Sequence, residues 1–93
     1  MRQIERTTQF KRDYRREAKG RHRAVLDANL SDVLGSLMND EALPARYRDH
    51  ALIGEWSGFR DCHVKPDLVL IYEKPDDAVL RLVRLGSHSE LGR

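Results

Sequence analysis

Histidine and aspartate side chains recur in the second half of the chain, at positions suited to proton transfer. Alternation along a predicted strand places Asp61 and His63 on one face. Asp67 follows in the adjoining turn, where its carboxylate can approach His63. His50 and His88 lie outside the predicted core stripes. Because imidazole has an unperturbed pKa of about 6.5, which a nearby carboxylate raises, these residues are suited to exchanging protons near neutral pH.

Metal-independent RNA cleavage is one reaction that these groups can perform. A base takes the proton of the ribose 2′-hydroxyl, an acid protonates the leaving 5′-oxygen, and cations neutralise the phosphate. Arg60, Arg81 and Arg84 are candidate cations. The residue types alone leave structural interpretations open, because strand histidines are often structural and an aspartate after a proline often forms a turn.

The spacing of potential ligands does not indicate a metal or cofactor site. Histidine and aspartate bind zinc or manganese, but neither H-E-x-x-H nor paired C-x-x-C occurs. Cys62 is the only cysteine, which excludes an internal disulfide and a cysteine-based zinc site. Alternation puts Cys62 on the strand face opposite Asp61 and His63, which argues against a nucleophilic role. We expect no metal and no cofactor.

Length and composition favour one globular domain over residues 1–93. A chain of this size buries roughly 60% of its unfolded surface, enough for a single core. Charged residues make up 34% of the chain, against about 25% in a typical domain. No run approaches the ~20 apolar residues of a membrane span, and the first residues lack the apolar segment of a secretion signal. We therefore expect a cytoplasmic protein with no membrane contact.

Positive charge is concentrated at the beginning of the chain. Residues 1–23 carry nine Lys or Arg against three Asp or Glu, whereas residues 24–93 carry eight against twelve. Such asymmetry marks the first helix as a candidate surface for nucleic-acid phosphates, with Lys11 and Arg15 as candidate contacts. A solvated helix surface is the alternative interpretation.

Hydrophobic periodicity predicts two helices followed by three strands. The predicted elements are an edge strand at 2–7, helices at 8–20 and 22–39, an irregular connection at 40–57, strands at 59–64, 68–72 and 78–85, and a tail. Two tight turns make the last three strands an antiparallel meander, and the helices must cover one face of it. We predict an α+β fold, a helical hairpin packed on a small antiparallel sheet, in the order β-α-α-β-β-β-tail.

Two segments of the chain resemble a known family. Residues 47–72 read YRDHALIGEWSGFRDCHVKPDLVLIY, and residues 84–91 read RLGSHSEL. They are similar to the signature D-H-x-L-x-G-x-W-x-G-x-R-D-x-H-V-x-P-D-x-x-L-I-Y and the terminal R-x-G-[ST]-H-x-x-L of YafQ-type toxins in the RelE/ParE superfamily. The order of the elements and the basic first helix also agree, so the resemblance covers essentially the whole chain.

The resemblance implies a RelE-like microbial ribonuclease fold and the toxin of a type II toxin–antitoxin system. It further implies an endoribonuclease, an mRNA interferase, that binds the ribosome, cuts mRNA there and is neutralised by a cognate antitoxin. Operator DNA would be contacted only through the antitoxin complex. The family's catalytic positions match His50, Asp61, His63, Asp67 and His88. By this resemblance His88 is the general acid, Asp61 supports a histidine, and the identity of the general base stays open.

The end of the chain departs from the family pattern. The family commonly has an aromatic residue after the terminal leucine, suited to stacking on a base, whereas Gly92 follows Leu91 here. Two alternatives therefore stay open. One is a ParE-like toxin that binds a DNA topoisomerase without cutting RNA, and the other is a degenerate toxin that acts only as an antitoxin-bound co-repressor. The histidine and aspartate set favours the ribonuclease, since a pure binding module does not need it.

Overall fold

A computed structural model describes residues 1–92 and contains one five-stranded sheet. Its strands are β1 Gln3–Arg6, β2 His50–Ala51, β3 Arg60–Lys65, β4 Leu68–Glu73 and β5 Val79–Gly86. The helices are α1 Thr8–Glu17, α2 Leu26–Met38 and α3 His88–Leu91, and 3-10 turns at Ala45–Tyr47 and Gly54–Trp56 flank β2. The strand order is β1-β5-β4-β3-β2. β1 runs parallel to β5, and the other neighbouring strands are antiparallel.

The first two helices cover one face of this sheet, as their apolar stripes require. Thr7 caps α1 by accepting a hydrogen bond from the Phe10 N–H at 3.0 Å. Phe10 and four residues at helical spacing in α2 are buried against the sheet; the four are Leu26, Leu30, Val33 and Leu37. The predicted α+β architecture, a helical hairpin packed on a small sheet, is confirmed. The sheet is mixed and not antiparallel throughout, because β1 joins it parallel to β5.

The other face of the sheet carries a smaller apolar cluster. Val69 and Ile71 of β4 are fully buried there and pack with Leu52 and Leu91. Their neighbours Leu68 and Leu70 point into the core beneath the helices. Because both faces of β4 are covered, its sequence is a continuous apolar run instead of an alternation.

Three local features differ from the predicted elements. α2 begins at Leu26 because two turns precede it, closed by hydrogen bonds from Arg23 N–H to Gly20 C=O (3.2 Å) and from Val25 N–H to His22 C=O (3.0 Å). The connection predicted as irregular contains the short strand β2. The predicted tail contains α3, which begins with a reciprocal capping box between Ser87 and Glu90.

Side chains of α1 complete one edge of β5. β1 pairs with β5 only as far as Leu82, so the backbone of β5 has no strand neighbour on that side afterwards. The Leu85 N–H donates to Asp13 Oδ2 at 3.0 Å, and the Leu85 carbonyl accepts from Arg16 Nη2 at 2.8 Å. These two contacts, which we call the Asp13–Arg16 edge contact, satisfy both backbone groups of a residue three positions before His88.

Asp13 is almost completely buried, and its carboxylate is also bonded to Arg84 Nε at 2.7 Å. Burial disfavours the carboxylate, but the hydrogen bonds from Arg84 and Leu85 and the charges of Arg84 and Arg16 outweigh it. The pKa of Asp13 therefore lies below its ordinary value, and the group is ionised at neutral pH.

None of the helices within residues 1–92 has the length and apolar composition that a membrane span requires.

Candidate active site

Pairing between β2 and β3 brings His50 to a buried carboxylate. His50 lies directly opposite Asp61 in the register, and its Nδ1 is 3.2 Å from Asp61 Oδ1. The Asp61 side chain is fully buried, whereas about half of His50 is exposed. His50 Nδ1 also lies 2.7 Å from the Arg48 carbonyl. With two oxygens beside it, Nδ1 carries the proton, so Nε2 is the nitrogen left to face a ligand.

A pair of histidines, His63 and His88, adjoins the His50–Asp61 contact on the same face of the sheet. The rings of His63 and His88 lie 5.2 Å apart between centroids and are tilted by 57°. His63 follows Asp61 by two residues in β3, so both side chains point away from the helices. An irregularity in the β3–β4 pairing immediately follows His63. We call His50, Asp61, His63 and His88 the histidine cluster.

The surroundings of His63 shift its pKa. Its pKa lies below the ordinary value chiefly because burial disfavours the charged ring. The Asp61 carboxylate and a hydrogen bond to the Pro66 carbonyl act in the opposite direction, while the charges of His88 and Arg48 lower the pKa further. His63 is therefore neutral at pH 7. A neutral imidazole has one ring nitrogen with a free lone pair, which can accept a proton.

Arg48 supplies a positive charge at this site, although sequence reasoning assigned it no role. It adopts the left-handed backbone conformation (φ 49°), which turns its carbonyl toward His50. Its side chain is exposed, and its charge acts on His63. The available signal was its place in a long connection two residues before His50, since such connections are often functional.

The end of β5 and the start of α3 hold His88. Arg16 reaches from α1 to Glu90 of α3 at 3.1 Å as well as to the Leu85 carbonyl. Gly86 allows this approach, because a Cβ there would lie 2.7 Å from Arg16 Nη2. Arg16 therefore ties α1, β5 and α3 together immediately beside His88. Asp13 and Arg16 were not singled out from the sequence, although Asp13 lies at helical spacing from the buried Phe10.

The three arginines predicted to neutralise phosphate each form an ion pair with an acidic side chain. Arg60 lies opposite Tyr72 on the helix-covered face and contacts Asp49 at 3.3 Å. Arg81 pairs with Glu5 and Glu73 near the far end of β5, roughly 20 Å along the strand from His88. Arg84 is held by the buried Asp13. Arg60 and Arg81 therefore lie away from the histidine cluster, and their assignment to it is corrected. Arg84 lies opposite Ile71, on the histidine side of the sheet, so its assignment to the phosphate stays a prediction.

Lys11 and Arg15 also lie away from the cluster. They line an open groove of about 860 Å³ between α1 and α2, whose walls include the apolar Phe10, Leu34 and Met38. This groove is on the helix side of the sheet, whereas the histidines face the other side. A contact of these two residues with RNA would therefore be remote from the catalytic groups.

The expected approach of the Asp67 carboxylate to His63 is also corrected. Asp67 bonds Arg21 Nη1 at 2.6 Å and His22 Nε2 at 2.7 Å. Arg21 first, and then His22, hold the pKa of Asp67 below its ordinary value. Because Arg21 and His22 belong to the segment that joins α1 to α2, the carboxylate is directed toward the helices. The His22 side chain is mostly buried, with 17% of its surface exposed.

Cys62 is fully buried beneath the helices, as its position in the alternation predicted. Burial first, together with the negative charges of Asp49 and Asp61, raises the pKa of its thiol far above the usual range, so it is inert as a nucleophile. Within residues 1–92, no group of three or more His, Cys, Asp or Glu side chains is arranged to hold a metal ion.

A small sheet with a helical hairpin on one face and an acid–base cluster on the other defines a compact α+β protein of the ribonuclease type. A profile of the family described as a bacterial toxin of type II toxin–antitoxin systems, YafQ, matches residues 2–93. The chain belongs to this YafQ toxin family. The family, the fold class and the endoribonuclease class predicted from the sequence are confirmed.

Individual relatives resemble the chain over nearly its whole length. An mRNA interferase toxin YafQ of Escherichia coli strain K12 is 44% identical over 90 residues, covering 95% of this chain and 97% of the relative. A crystal structure of a copper-bound mutant toxin from Helicobacter pylori superposes with a TM-score of 0.85 at 38% identity, covering 98% and 99% of the two chains. The toxin in a crystal structure of the E. coli DinJ–YafQ complex gives 0.80 at 40% identity, covering 98% of each chain.

Proposed function

We propose that this chain is a ribosome-dependent mRNA interferase, a toxin that cleaves mRNA by general acid–base catalysis between His63 and His88. The observation that carries the proposal is the pairing of a half-buried imidazole of lowered pKa with an exposed imidazole 5.2 Å away. A neutral base and a second histidine that can deliver a proton are the two groups that the reaction needs.

The reaction follows from the placement of these two rings. The free ring nitrogen of His63 takes the proton of the ribose 2′-hydroxyl, and the 2′-oxygen forms a bond to the adjacent phosphorus. The bond from phosphorus to the 5′-oxygen breaks, and His88 donates a proton to that oxygen. The products are a 2′,3′-cyclic phosphate on one fragment and a 5′-hydroxyl on the other, so atoms and charge balance.

The other members of the site support this proton transfer. Asp61 fixes the tautomer of His50, which leaves His50 Nε2 available to bond a phosphate oxygen or the 2′-hydroxyl. Arg48 replaces Arg60 and Arg81 as a proposed cation for the phosphate, because its charge already acts on His63, and Arg84 stays a second candidate. Asp67 is proposed to anchor the segment between α1 and α2 through Arg21 and His22.

The proposed setting is the bacterial cytoplasm, with a cognate antitoxin as inhibitor. The DinJ–YafQ complex of E. coli supports the antitoxin partner. The basic face of α1, opposite the histidine cluster, suits contact with ribosomal RNA phosphates while mRNA lies at the histidines. Operator DNA would be contacted through the antitoxin complex.

The proposal is tested by incubating the purified protein with a reporter mRNA in the presence and absence of translating ribosomes. We expect cleavage only with ribosomes, and we expect 5′-hydroxyl and 2′,3′-cyclic phosphate ends on the fragments. A chelator added to the protein before dilution into the assay should leave the rate unchanged. Equal cleavage of free mRNA would contradict the ribosome dependence, and 5′-phosphate ends would contradict the mechanism.

The charges around His63 predict two opposite shifts of its pKa. Replacing Arg48 by alanine removes a positive charge that disfavours the imidazolium, so the pKa of His63 should rise. Replacing Asp61 by asparagine removes a negative charge that favours it, so the pKa should fall further below about 6.5. NMR titration of the His63 Hε1 resonance measures both shifts in the folded protein.

The matched control for Arg48 is Arg46→Ala, which removes an equal charge two positions away. The Arg46 guanidinium lies over the ring of Tyr47, 4.7 Å from its centroid. The Arg46 variant should leave the His63 titration close to that of the wild type. Shifts of the same sign in the Arg48 and Asp61 variants would contradict the arrangement of charges proposed for the site.

A further inference from the structure

A small apolar pocket opens next to the histidine cluster and is not used by the proposed proton transfers. Its volume is about 310 Å³, and it is lined by His50, Ala51, Leu52, Ile53 and Trp56. This volume is at the low end of the range for ligand pockets, roughly 300–1,000 Å³, which suits a single flat ring system better than a larger ligand.

The exposure of Ile53 sets this pocket apart from the rest of the surface. Ile53 is 88% exposed, although isoleucine is among the residue types most often buried. The exposed large apolar residues elsewhere in residues 1–92 are Met1 at the chain start, Ile4 and Val25. A single exposed apolar residue is ordinary on a protein surface, but Ile53 lines the same pocket as His50 and Trp56, where its side chain can contact a bound ligand.

Trp56 provides the aromatic wall of the same pocket and is held rigidly. Its ring stands at 80° to that of Phe59, with centroids 5.7 Å apart, and both rings pack on the apolar cluster of Leu52, Val69 and Ile71. A tryptophan fixed from one side offers its remaining surface at little cost in conformational entropy. Bases of single-stranded RNA bind to such surfaces by stacking.

His50 joins the pocket to the catalytic groups. It lines the pocket and also contacts Asp61, whose charge acts on His63. A nucleotide whose phosphate and ribose reach His63 and His88 therefore places a neighbouring base within reach of Ile53 and Trp56. Because the pocket adjoins the histidine cluster, we infer that its occupant is a base of the RNA substrate. A single-stranded RNA in the site has bases close to the cleaved bond.

We propose that Ile53 and Trp56 form a base-stacking subsite that holds the nucleobase adjacent to the cleaved phosphodiester. This inference rests on the proposed function and adds a substrate-positioning element to it. Stacking on a π-face is tolerant of base identity, so the subsite fixes the register of the strand more than it reads a sequence.

Trp56 is the only tryptophan in the chain, which makes its fluorescence a direct probe of the subsite. The His88→Gln variant, in which we expect cleavage to be slow, is titrated with a short single-stranded oligoribonucleotide. A matched oligonucleotide with one abasic residue retains the phosphates and removes one base. We expect the intact strand to quench the Trp56 fluorescence saturably. The dissociation constant should be roughly 5- to 150-fold higher when the stacked base is absent.

The Ile53→Asn variant removes the exposed apolar side of the pocket without disturbing the core, because Ile53 has little buried surface. Its counterpart Val25→Asn removes an apolar residue that is 41% exposed at the beginning of α2. Ile53→Asn should weaken oligonucleotide binding and raise KM for mRNA on ribosomes, while leaving the His63 titration unchanged. Val25→Asn should change neither binding nor KM.

The abasic residue is placed at each position of the oligonucleotide in turn. If every abasic strand binds as tightly as the intact strand, the stacking subsite is overturned. An unchanged KM for Ile53→Asn on ribosomes would overturn it as well. Neither result affects the acid–base proposal, which stands on cleavage by the wild type and its loss in His88→Gln. Quenching of Trp56 fluorescence in Ile53→Asn with the dissociation constant of the wild-type protein would assign the stacking to the tryptophan alone and overturn the role of Ile53.

Discussion

Replacing His88 by glutamine is expected to lower the rate of mRNA cleavage on ribosomes by about 10²- to 10⁴-fold. A general acid contributes a factor of this size, and glutamine keeps hydrogen-bonding groups but cannot deliver a proton. His88 is exposed and contributes little to the core, so the thermal unfolding midpoint should stay near the wild-type value. Cleavage of a reporter mRNA in single-turnover conditions gives the rate.

The control for this substitution is Ser89→Ala, on the same short helix. Ser89 is exposed, and its backbone carbonyl, which alanine retains, accepts the hydrogen bond from the Gly92 N–H. The Ser89 variant should cleave at the wild-type rate. Cleavage by His88→Gln within threefold of the wild type would remove His88 from the reaction, and the acid would have to be found elsewhere in the cluster.

Replacing Asp13 by alanine is expected to lower the free energy of unfolding by about 3 kcal/mol. The substitution leaves the Leu85 N–H without its acceptor and removes the carboxylate that Arg84 and Arg16 share. This is a large part of the roughly 5–15 kcal/mol that stabilises a small domain. Thermal unfolding should show a midpoint about 12–24 °C lower.

Two further variants separate the charge of Asp13 from its hydrogen bond. Asp13→Asn keeps an acceptor for Leu85 and should be destabilised less than the alanine variant. Asp32→Ala removes an exposed carboxylate from α2 and should leave stability within about 0.5 kcal/mol of the wild type. An alanine variant at position 13 that is as stable as the one at position 32 would contradict the edge contact.

The depressed pKa of Asp13 also predicts a pH dependence. Its folded pKa is below the ordinary value of about 3.9, so its stabilisation is complete above that pH and is lost as the pH falls through the folded pKa. The difference in stability between the wild type and Asp13→Asn should therefore narrow below about pH 4. Denaturant unfolding at a series of pH values measures this difference.

Much of the fold was predictable because its signals are local. Apolar residues at helical spacing identified α1 and α2, and the doubly covered β4 was visible as a continuous apolar run between two turns. The capping box at Ser87 and Glu90 was an equally local signal for α3. The late start of α2 was harder to predict, because the turns at residues 20–25 are accompanied by contacts of Arg21 and His22 with Asp67, which is distant in the sequence.

The sequence predicted correctly which face of a strand a side chain occupies, because alternation along the strand determines that face. It did not predict the direction of side chains that depend on their rotamers. Alternation placed Asp61 beside His63, and the same rule already put Arg60 on the opposite face. The direction of Asp67 in its turn depends on Arg21 and His22, which are more than 40 residues earlier. The hydrogen bond from Arg84 to Asp13 is a tertiary contact that residue spacing does not reveal.

Closure of β5 by two side chains has a consequence for how this molecule meets other chains. A strand edge with free backbone groups is a template for strand addition, and most proteins protect such edges. Here α1 occupies the edge next to His88, so an incoming strand cannot extend the sheet at the catalytic end. The remaining sheet edges are β1 and β2, of four and two residues, and β-mediated aggregation or partner-strand addition is confined to them.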